Sequence, residues 1–301
     1  MSQFTYDNAA RREDLLNILT NIDPTETQFF TGVAKTSATN TLHEWPVDTL
    51  PTVGDNAQVE GAEAIADAGT NPGRAVNVTQ IFERVAKVSG TEESVNSAGF
   101  SSRMAYEVEK EMKKIKNDIE FALIRGSIAS GTGSAARRLK GVKNWITTNT
   151  SGHSGATFTE TMLNDYFQLS WNRGGKVNAI YAPMSGKRRI SSFTAGSTKN
   201  VDATDRRLIN SVDVYESDAA GITMLFPHRY VTQSGDYVGA ASATSFAVLG
   251  LQEDTWAVAT LRPLKAVDLS KSGDHERKML VTELTLESRA QHGNFLIDQV
   301  V

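Results

Sequence analysis

The stretch SRMAYEVEKEMKKIKNDIEFALIRG, residues 102–126, decides how the rest of the chain is read. Within it Ala105, Val108, Met112, Ile115, Ile119 and Ala122 recur at alternating spacings of three and four, the repeat that gathers residues on one side of an α-helix. Glu109 and Lys113 stand one turn apart and add an ion pair to the solvated side. Gly126 supplies the stop. A helix over Ser102 to Arg125 reaches roughly 35 Å at 1.5 Å per residue, enough for a structural spine. A coiled coil is the alternative, but only about three heptads fit.

Upstream of this helix the pattern changes to period two. Leu42 to Leu50 places His43, Trp45, Val47 and Thr49 on one face of a strand, with Pro46 favouring a sheet edge. A second strand runs from Ala75 to Ser89 and is rich in β-branched residues between Val76 and Val88. Between the two lies Gly54 to Gly73, rich in Ala, Gly and Asn, with little side-chain area to bury. The simplest arrangement is a long hairpin arm with a soft tip. A two-stranded arm is marginal alone in water and asks for a neighbour to lie on. Further upstream, Leu15, Ile18, Leu19 and Ile22 predict a short amphipathic helix over Asp7 to Ile22. Asp23-Pro24-Thr25-Glu26 then starts another, with Asp23 as N-cap, Pro24 in the first helical position and Glu26 completing a capping box. Phe29 and Phe30 follow, and Gly32 ends it.

Downstream, the glycine-rich run from Gly126 to Ser134 lacks the Gly-Lys-Ser/Thr ending of a phosphate loop and has no strand before it, so it reads as a plain loop. Thr159 to Asn172 predicts a helix that buries Met162, Leu163, Tyr166, Phe167 and Ser170, with Gly174 and Gly175 as its stop. A strand over Val177 to Ala182 ends at Pro183, and a short basic helix containing Lys187 begins. Short strands follow at Val212 to Tyr215, Ile222 to Phe226, Ser245 to Leu251 and Trp256 to Leu261. The run Lys278 to Arg289 alternates strictly and predicts a strand with one apolar face. The fold class is therefore α+β.

Composition narrows the function. With 301 residues, 40% hydrophobic and 22% charged, the chain is a folded one, large enough for one elaborate domain or two simple ones. The absence of cysteine removes disulfides, thiol nucleophiles and cysteine-ligated metals. No segment approaches the roughly 18 apolar residues of a membrane span, and the N-terminus has no basic and apolar leader pattern. The reading is no membrane and synthesis in the cytoplasm. The net charge of −4 speaks against a dedicated nucleic-acid binder, which carries a basic excess. The five histidines, His43, His153, His228, His275 and His292, stand far apart without metal-ligand spacing. Gly152-His153-Ser154-Gly155 has the wrong spacing for a nucleophile elbow. No catalytic residue, cofactor or metal is expected.

Two charge features remain. Asp55, Glu60, Glu63 and Asp67 lie in a stretch without Lys or Arg. Four arginine pairs, Arg11-Arg12, Arg137-Arg138, Arg188-Arg189 and Arg206-Arg207, are the natural counterpart, because guanidinium groups bond carboxylates bidentately. Solvated surface is the plain reading of these pairs. The sharper one is that some meet the acidic stretch of an adjacent copy of the chain.

The order of elements, an N-terminal arm, a hairpin with a soft tip, a spine helix, a central α+β module and a final long strand, resembles the Hong Kong 97-type major capsid protein of tailed bacteriophages. DLLNILTNIDPTET (residues 14–27), NTLHEW (40–45) and AARRLKGV (135–142) are similar to a phage capsid subfamily. The resemblance implies a non-enzymatic shell subunit that self-assembles into hexamers and pentamers of an icosahedral head around double-stranded DNA. It implies an N-terminal arm at 1–41, an extended loop at 42–88, a peripheral domain at 96–145 and 268–301, and an axial domain at 158–264. Expected partners are other copies of the chain, a separate scaffolding protein, a portal, a decoration protein in some heads, and packaged DNA on the inner face. The expected location is the virion, after assembly in the bacterial cytoplasm. The alternatives are a soluble α+β enzyme or ligand-binding protein, which needs a pocket of convergent polar groups, or another virion structural protein.

Overall fold

The computed structural model describes residues 27–48, 54–63, 71–95, 102–193, 213–217, 221–231 and 245–301. In chain order come α1 (Gln28–Gly32), β1 (Ala34–Ser37), β2 (Leu42–Val47), β3 (Gly73–Val78), β4 (Gln80–Ser89), α2 (Gly90–Ser94) and the long α3 (Arg103–Arg125). Next are α4 (Val142–Trp145), β5 (Thr150–Ala156), α5 (Glu160–Asn172), β6 (Ala179–Ala182), α6 (Met184–Phe193), β7 (Val214–Ser217), β8 (Gly221–Pro227) and β9 (Phe246–Leu251). β10 (Trp256–Leu269), β11 (His275–Ser288) and β12 (Phe295–Val300) complete the series. The helix expected over Asp7 to Ile22 and the capping box at Asp23 to Glu26 lie outside the described residues.

The chain divides into two compact units. The smaller includes Glu83–Asn117 and Leu264–Val281. In it Ala86, Val88 and Met104 form a small core against which Val108 packs. The start of α3 is capped from the preceding turn: the Glu93 carboxylate accepts the Ser102 hydroxyl at 2.8 Å and the Met104 amide at 3.0 Å. These bonds, the Ser102 one foremost, hold Glu93 below the usual carboxylate range. Lys113 and Glu109 form the expected pair at 2.8 Å. The buried stripe of α3 is turned from the expected one, however. Ala105 and Met112 are exposed, while Met104 and Glu111 are buried. Residues 104, 108, 111 and 115 satisfy the same alternation of four and three. Glu111 disguised the register, because its carboxylate tolerates burial through a 2.6 Å pair with Lys114.

The larger unit holds Thr27–Phe82, Asp118–Pro263 and Thr282–Val301. Its six-stranded sheet has the order β5-β12-β9-β6-β8-β7. Here β12 lies parallel to β5 and antiparallel to β9. On this sheet Phe158, Leu163, Phe167, Val248, Phe295 and Ile297 build the main core, joined by Ile190 of α6 and Tyr215 of β7. α5 begins as expected, with the Thr159 hydroxyl accepting the Met162 amide at 3.3 Å. It buries Leu163, Tyr166, Phe167 and Ser170, and Met162 packs at the rim. α3 ends where Gly126 meets Gly141, whose amide donates to the Gly126 carbonyl at 2.8 Å. A Cβ on Gly141 would stand 2.6 Å from the Gly126 nitrogen, so neither backbone leaves room for a side chain there.

A second sheet has the order β1-β10-β11-β4, with β1 parallel to β10 from Ala34↔Ala257 to Ser37↔Thr260. Among the described residues β2 pairs only with β3, in a two-stranded ribbon from Leu42↔Val78 to Val47↔Gly73. The expected hairpin strand over Ala75 to Ser89 is therefore two strands separated at Thr79. The first half belongs to the ribbon and the second to the four-stranded sheet. The break follows from Thr79 being fully buried and turned to partners of its own. Its amide donates to the Thr41 carbonyl at 2.8 Å, and its hydroxyl to Glu283 at 2.7 Å.

Candidate functional site

The alternation along β11 predicts that Glu283, Thr285 and Glu287 face water. In the structure this face is covered, and both faces of residues 282–288 are buried. The cover is the foot of the ribbon formed by β2 and β3, together with the chain around Arg137 to Lys140. A buried carboxylate is tolerated only when its oxygens are taken up by donors. Both glutamates meet that condition.

Glu283 receives the Thr79 hydroxyl and the Arg137 guanidinium on one oxygen, at 2.7 and 2.6 Å, and the Arg262 Nε on the other at 2.9 Å. Glu287 receives Thr36 at 2.9 Å, His43 at 2.7 Å and Arg289 at 3.1 Å. Burial alone pushes the Glu287 carboxyl up. The bonds from His43, Thr36 and Arg289 together outweigh it and hold the group below the usual carboxylate range. Between the two, the Thr285 hydroxyl donates to the Val78 carbonyl at 2.9 Å.

The ribbon returns these contacts from its own buried face. Asn77 Nδ2 donates to the carbonyls of Leu286 and Lys140, at 2.7 and 3.1 Å, while its Oδ1 accepts the Lys140 amide at 2.8 Å. The Trp45 indole donates to the Ser288 carbonyl at 3.0 Å. Trp45 also sits between the His43 and Trp145 rings, 5.6 Å from each. The alternation that puts His43, Trp45 and Val47 on one side of β2 thus brings the first two onto β11. The opposite side carries exposed Leu42 and Val76 and the surface pair Arg74 with Glu44, 3.2 Å apart. The result is a two-stranded ribbon fixed at its foot by buried charge, with Leu42 and Val76 exposed on its opposite face and Val78 buried there.

The charged residues singled out from the sequence are spread widely. Asp55, Glu60 and Glu63 are exposed, and the Asp55 carboxylate accepts the Ala57 amide at 3.1 Å. Asp67, Arg11, Arg12, Arg206 and Arg207 lie outside the described residues. Arg137 is engaged within its own chain by Glu283, whereas its neighbour Arg138 is exposed. Arg188 and Arg189 are exposed on α6, and Arg189 Nε donates to the Phe158 carbonyl at 3.2 Å. Sequence reasoning missed Glu283, Glu287 and Asn77. The one signal for the glutamates was a Glu-x-Thr-x-Glu alternation that an exposed strand face shares.

Among the described residues no group of three or more His, Asp or Glu could hold a metal ion, and no helix is long and apolar enough to cross a membrane.

Residues 1–300 match the model of a family described as SU10 major capsid protein. A curated relative, the major capsid protein of Escherichia phage Phieco32, is 34% identical over 124 residues, which is 40% of this chain and 35% of that protein. The chain thus spans about a third of the length of that relative. Solved structures are similar over nearly the full length at low identity. The capsid of a native GTA particle superposes with a TM-score of 0.66 at 10% identity, covering 99% of this chain and 98% of that one. A Gordonia phage Cozz structure gives 0.63 at 13% identity, covering 97% and 92%. The holo-SrpI encapsulin complex of Synechococcus elongatus gives 0.62 at 11% identity, covering 100% and 96%. At such identities the likeness is one of fold.

Proposed function

Because the chain belongs to the SU10 major capsid protein family, we propose that copies of it close into the icosahedral head of a phage, as hexamers and pentamers around double-stranded DNA. Its α+β architecture is that of the Hong Kong 97-type capsids, as the sequence resemblance implied. A major capsid protein is a virion component and its family a structural one. We read this chain as having no catalytic activity of its own and as assembling in the bacterial cytoplasm.

The observation that carries the assembly reading is the ribbon of β2 and β3. An isolated two-stranded ribbon is barely stable in water, yet this one is held by buried ionic and amide contacts at its foot while Leu42 and Val76 stay exposed on its outer face. Such an arrangement suits a surface completed by another subunit, and many modest contacts of this kind sum through multivalency. We assign residues 42–88 to the extended loop, 1–41 to the N-terminal arm, 96–145 and 268–301 to the peripheral domain, and 158–264 to the axial domain.

The acidic positions Asp55, Glu60, Glu63 and Asp67 and the exposed Arg138, Arg188 and Arg189 are candidates for contacts between copies, with Arg11, Arg12, Arg206 and Arg207 beside them. Arg137 supports the same contacts indirectly, by fixing Glu283. A separate scaffolding protein, a portal and in some heads a decoration protein are the further partners; one similar structure, of phage G, pairs major capsid proteins with decoration proteins.

Electron microscopy of the purified chain, alone and co-expressed with its neighbouring genes, tests the reading. Closed shells or six-fold and five-fold rings are expected. Compact monomers under both conditions would overturn it.

A further inference from the structure

Glu120 is fully buried, and its carboxylate is aimed at a segment some ninety residues away in sequence. Oε1 accepts the Phe29 amide and Oε2 the Phe30 amide, each at 2.8 Å. These are the second and third N–H groups of α1, which have no partner within the helix and whose N-cap residue Thr27 makes no side-chain cap. Phe29 itself is fully buried, edge-on to Tyr181 at 5.9 Å and to Trp256 at 6.3 Å. The five-residue helix is therefore held by one carboxylate and one aromatic socket.

The third donor to Glu120 is His228, whose Nε2 lies 2.8 Å from Oε1. His228 Nδ1 accepts the Tyr230 amide at 3.2 Å, so Nδ1 carries no proton and Nε2 does. Among the described residues, the charged and titratable neighbours include Lys35, Tyr181, Glu253 and Tyr230, whose ring lies 5.8 Å from that of His228. Lys35 donates to the Phe30 carbonyl, and burial pushes its ammonium below the usual range while Glu120 opposes that shift. Tyr181 donates to Glu253, and burial, followed by that bond, pushes its hydroxyl well above the usual range, so it stays a donor.

We propose that Glu120 and His228 form a proton-operated latch on residues 28–32, closed while Glu120 is ionised and opened when its carboxylate takes up a proton. The geometry fixes the direction. Phe29, Phe30 and His228 all present N–H groups to Glu120, so a protonated oxygen faces donors only. Moving the His228 proton to Nδ1 frees Nε2 as an acceptor but sets an N–H against the Tyr230 amide. A proton on Oε1 competes with the Phe29 and His228 N–H groups and one on Oε2 with the Phe30 N–H, and loss of the charge weakens each of these bonds. Protonation of His228 with Glu120 still ionised converts their hydrogen bond into an ion pair but sets an Nδ1–H against the Tyr230 amide.

The latch is tested by hydrogen exchange on the full chain, held at a series of pH values from neutral to acid and pulse-labelled at one common pH. The peptide spanning Thr27 to Val33 should lose protection about tenfold or more on acidification, the scale of an unmade buried bond. The peptide over Phe295–Val300 should keep its protection. Glu120→Gln, checked for an intact fold by that same second peptide, should expose residues 27–33 at neutral pH and abolish the pH response. His228→Gln, whose amide can turn its oxygen toward a protonated Glu120, should weaken the response. Unchanged protection of residues 27–33 at low pH would overturn the proposal, and so would loss shared equally by Phe295–Val300 or a pH response that survives in Glu120→Gln.

Discussion

The Trp45 indole N–H donates to the carbonyl of Ser288 across 3.0 Å, joining the middle of β2 to the last residue of β11. The bond is buried, and both residues belong to the larger unit. Trp45→Phe keeps a ring in place and leaves the carbonyl unpaired, for an expected loss of about 1–3 kcal/mol. Trp45→Ala also empties the space beside Trp145 and should cost about 3–5 kcal/mol. Urea unfolding of the unassembled chain measures both, and equal losses would show that the ring contributes nothing beyond its N–H.

The two arginines on Glu283 should differ. Arg262 has a side chain 52% exposed, whereas Arg137 is 30% exposed and shares its acceptor oxygen with Thr79. Arg262→Ala leaves the second oxygen of the buried Glu283 without the Nε donor and should cost about 1–3 kcal/mol. Glu283→Ala leaves two guanidinium groups without their common partner and should cost about 3–5 kcal/mol. Chemical denaturation of the three proteins gives the ranking.

Acid should loosen the foot of the ribbon through Glu287. Its carboxyl lies below the usual range in the folded chain, so the unfolded chain binds the proton more readily. The associated stability is fully present above the unfolded-state value and disappears as pH falls through the lower, folded one. Urea midpoints should drop over that acidic interval, and Glu287→Gln should lower the neutral-pH midpoint while flattening the slope. An unchanged slope in the variant would remove Glu287 as the source.

At the end of α3, Gly141→Ala would place a methyl group against main-chain atoms of Ala122, Leu123 and Gly126, none of which can rotate away. A cost of about 1–3 kcal/mol is expected from this overpacking. Gly133→Ala, where nothing lies within 4 Å, serves as the neutral control. Thermal unfolding of the pair measures the difference.

Reversal of Asp55, Glu60, Glu63 and Asp67 to Lys should weaken assembly in low salt and change the salt dependence, if the acidic stretch meets basic groups on another copy. Light scattering of assembly at two ionic strengths is the measurement. Identical assembly of parent and variant at both would exclude the acidic stretch from the contact.

Much of the fold was legible because one periodicity dominated. The ends of α3 and α5, the inward face of β2 and the stop at Pro183 came from spacing, capping and breaker residues. Other elements carried no such mark. β5 reads TSGHSGA, a sequence with little strand preference that is held by β12. β1 and β12 are short, and the former takes its place from β10. The buried face of β11 was illegible for a different reason. Glutamate and threonine are surface residue types, and only the donors brought by Thr79, Arg137, Arg262, His43 and Thr36 make their burial tolerable. Those donors are scattered over more than two hundred positions, which no local window spans.

The place of β12 between β5 and β9 also sets a schedule for synthesis. Residues 150–156 and 246–251 are translated well before residues 295–300, yet they join one sheet only through them. Contacts so distant in sequence form late, and until then β9 keeps a side open to wrong partners. A nascent chain halted before Phe295 lacks the strand that unites its largest sheet. In such a chain β5 and β9 remain separate edges, each exposing the backbone groups that β12 would satisfy.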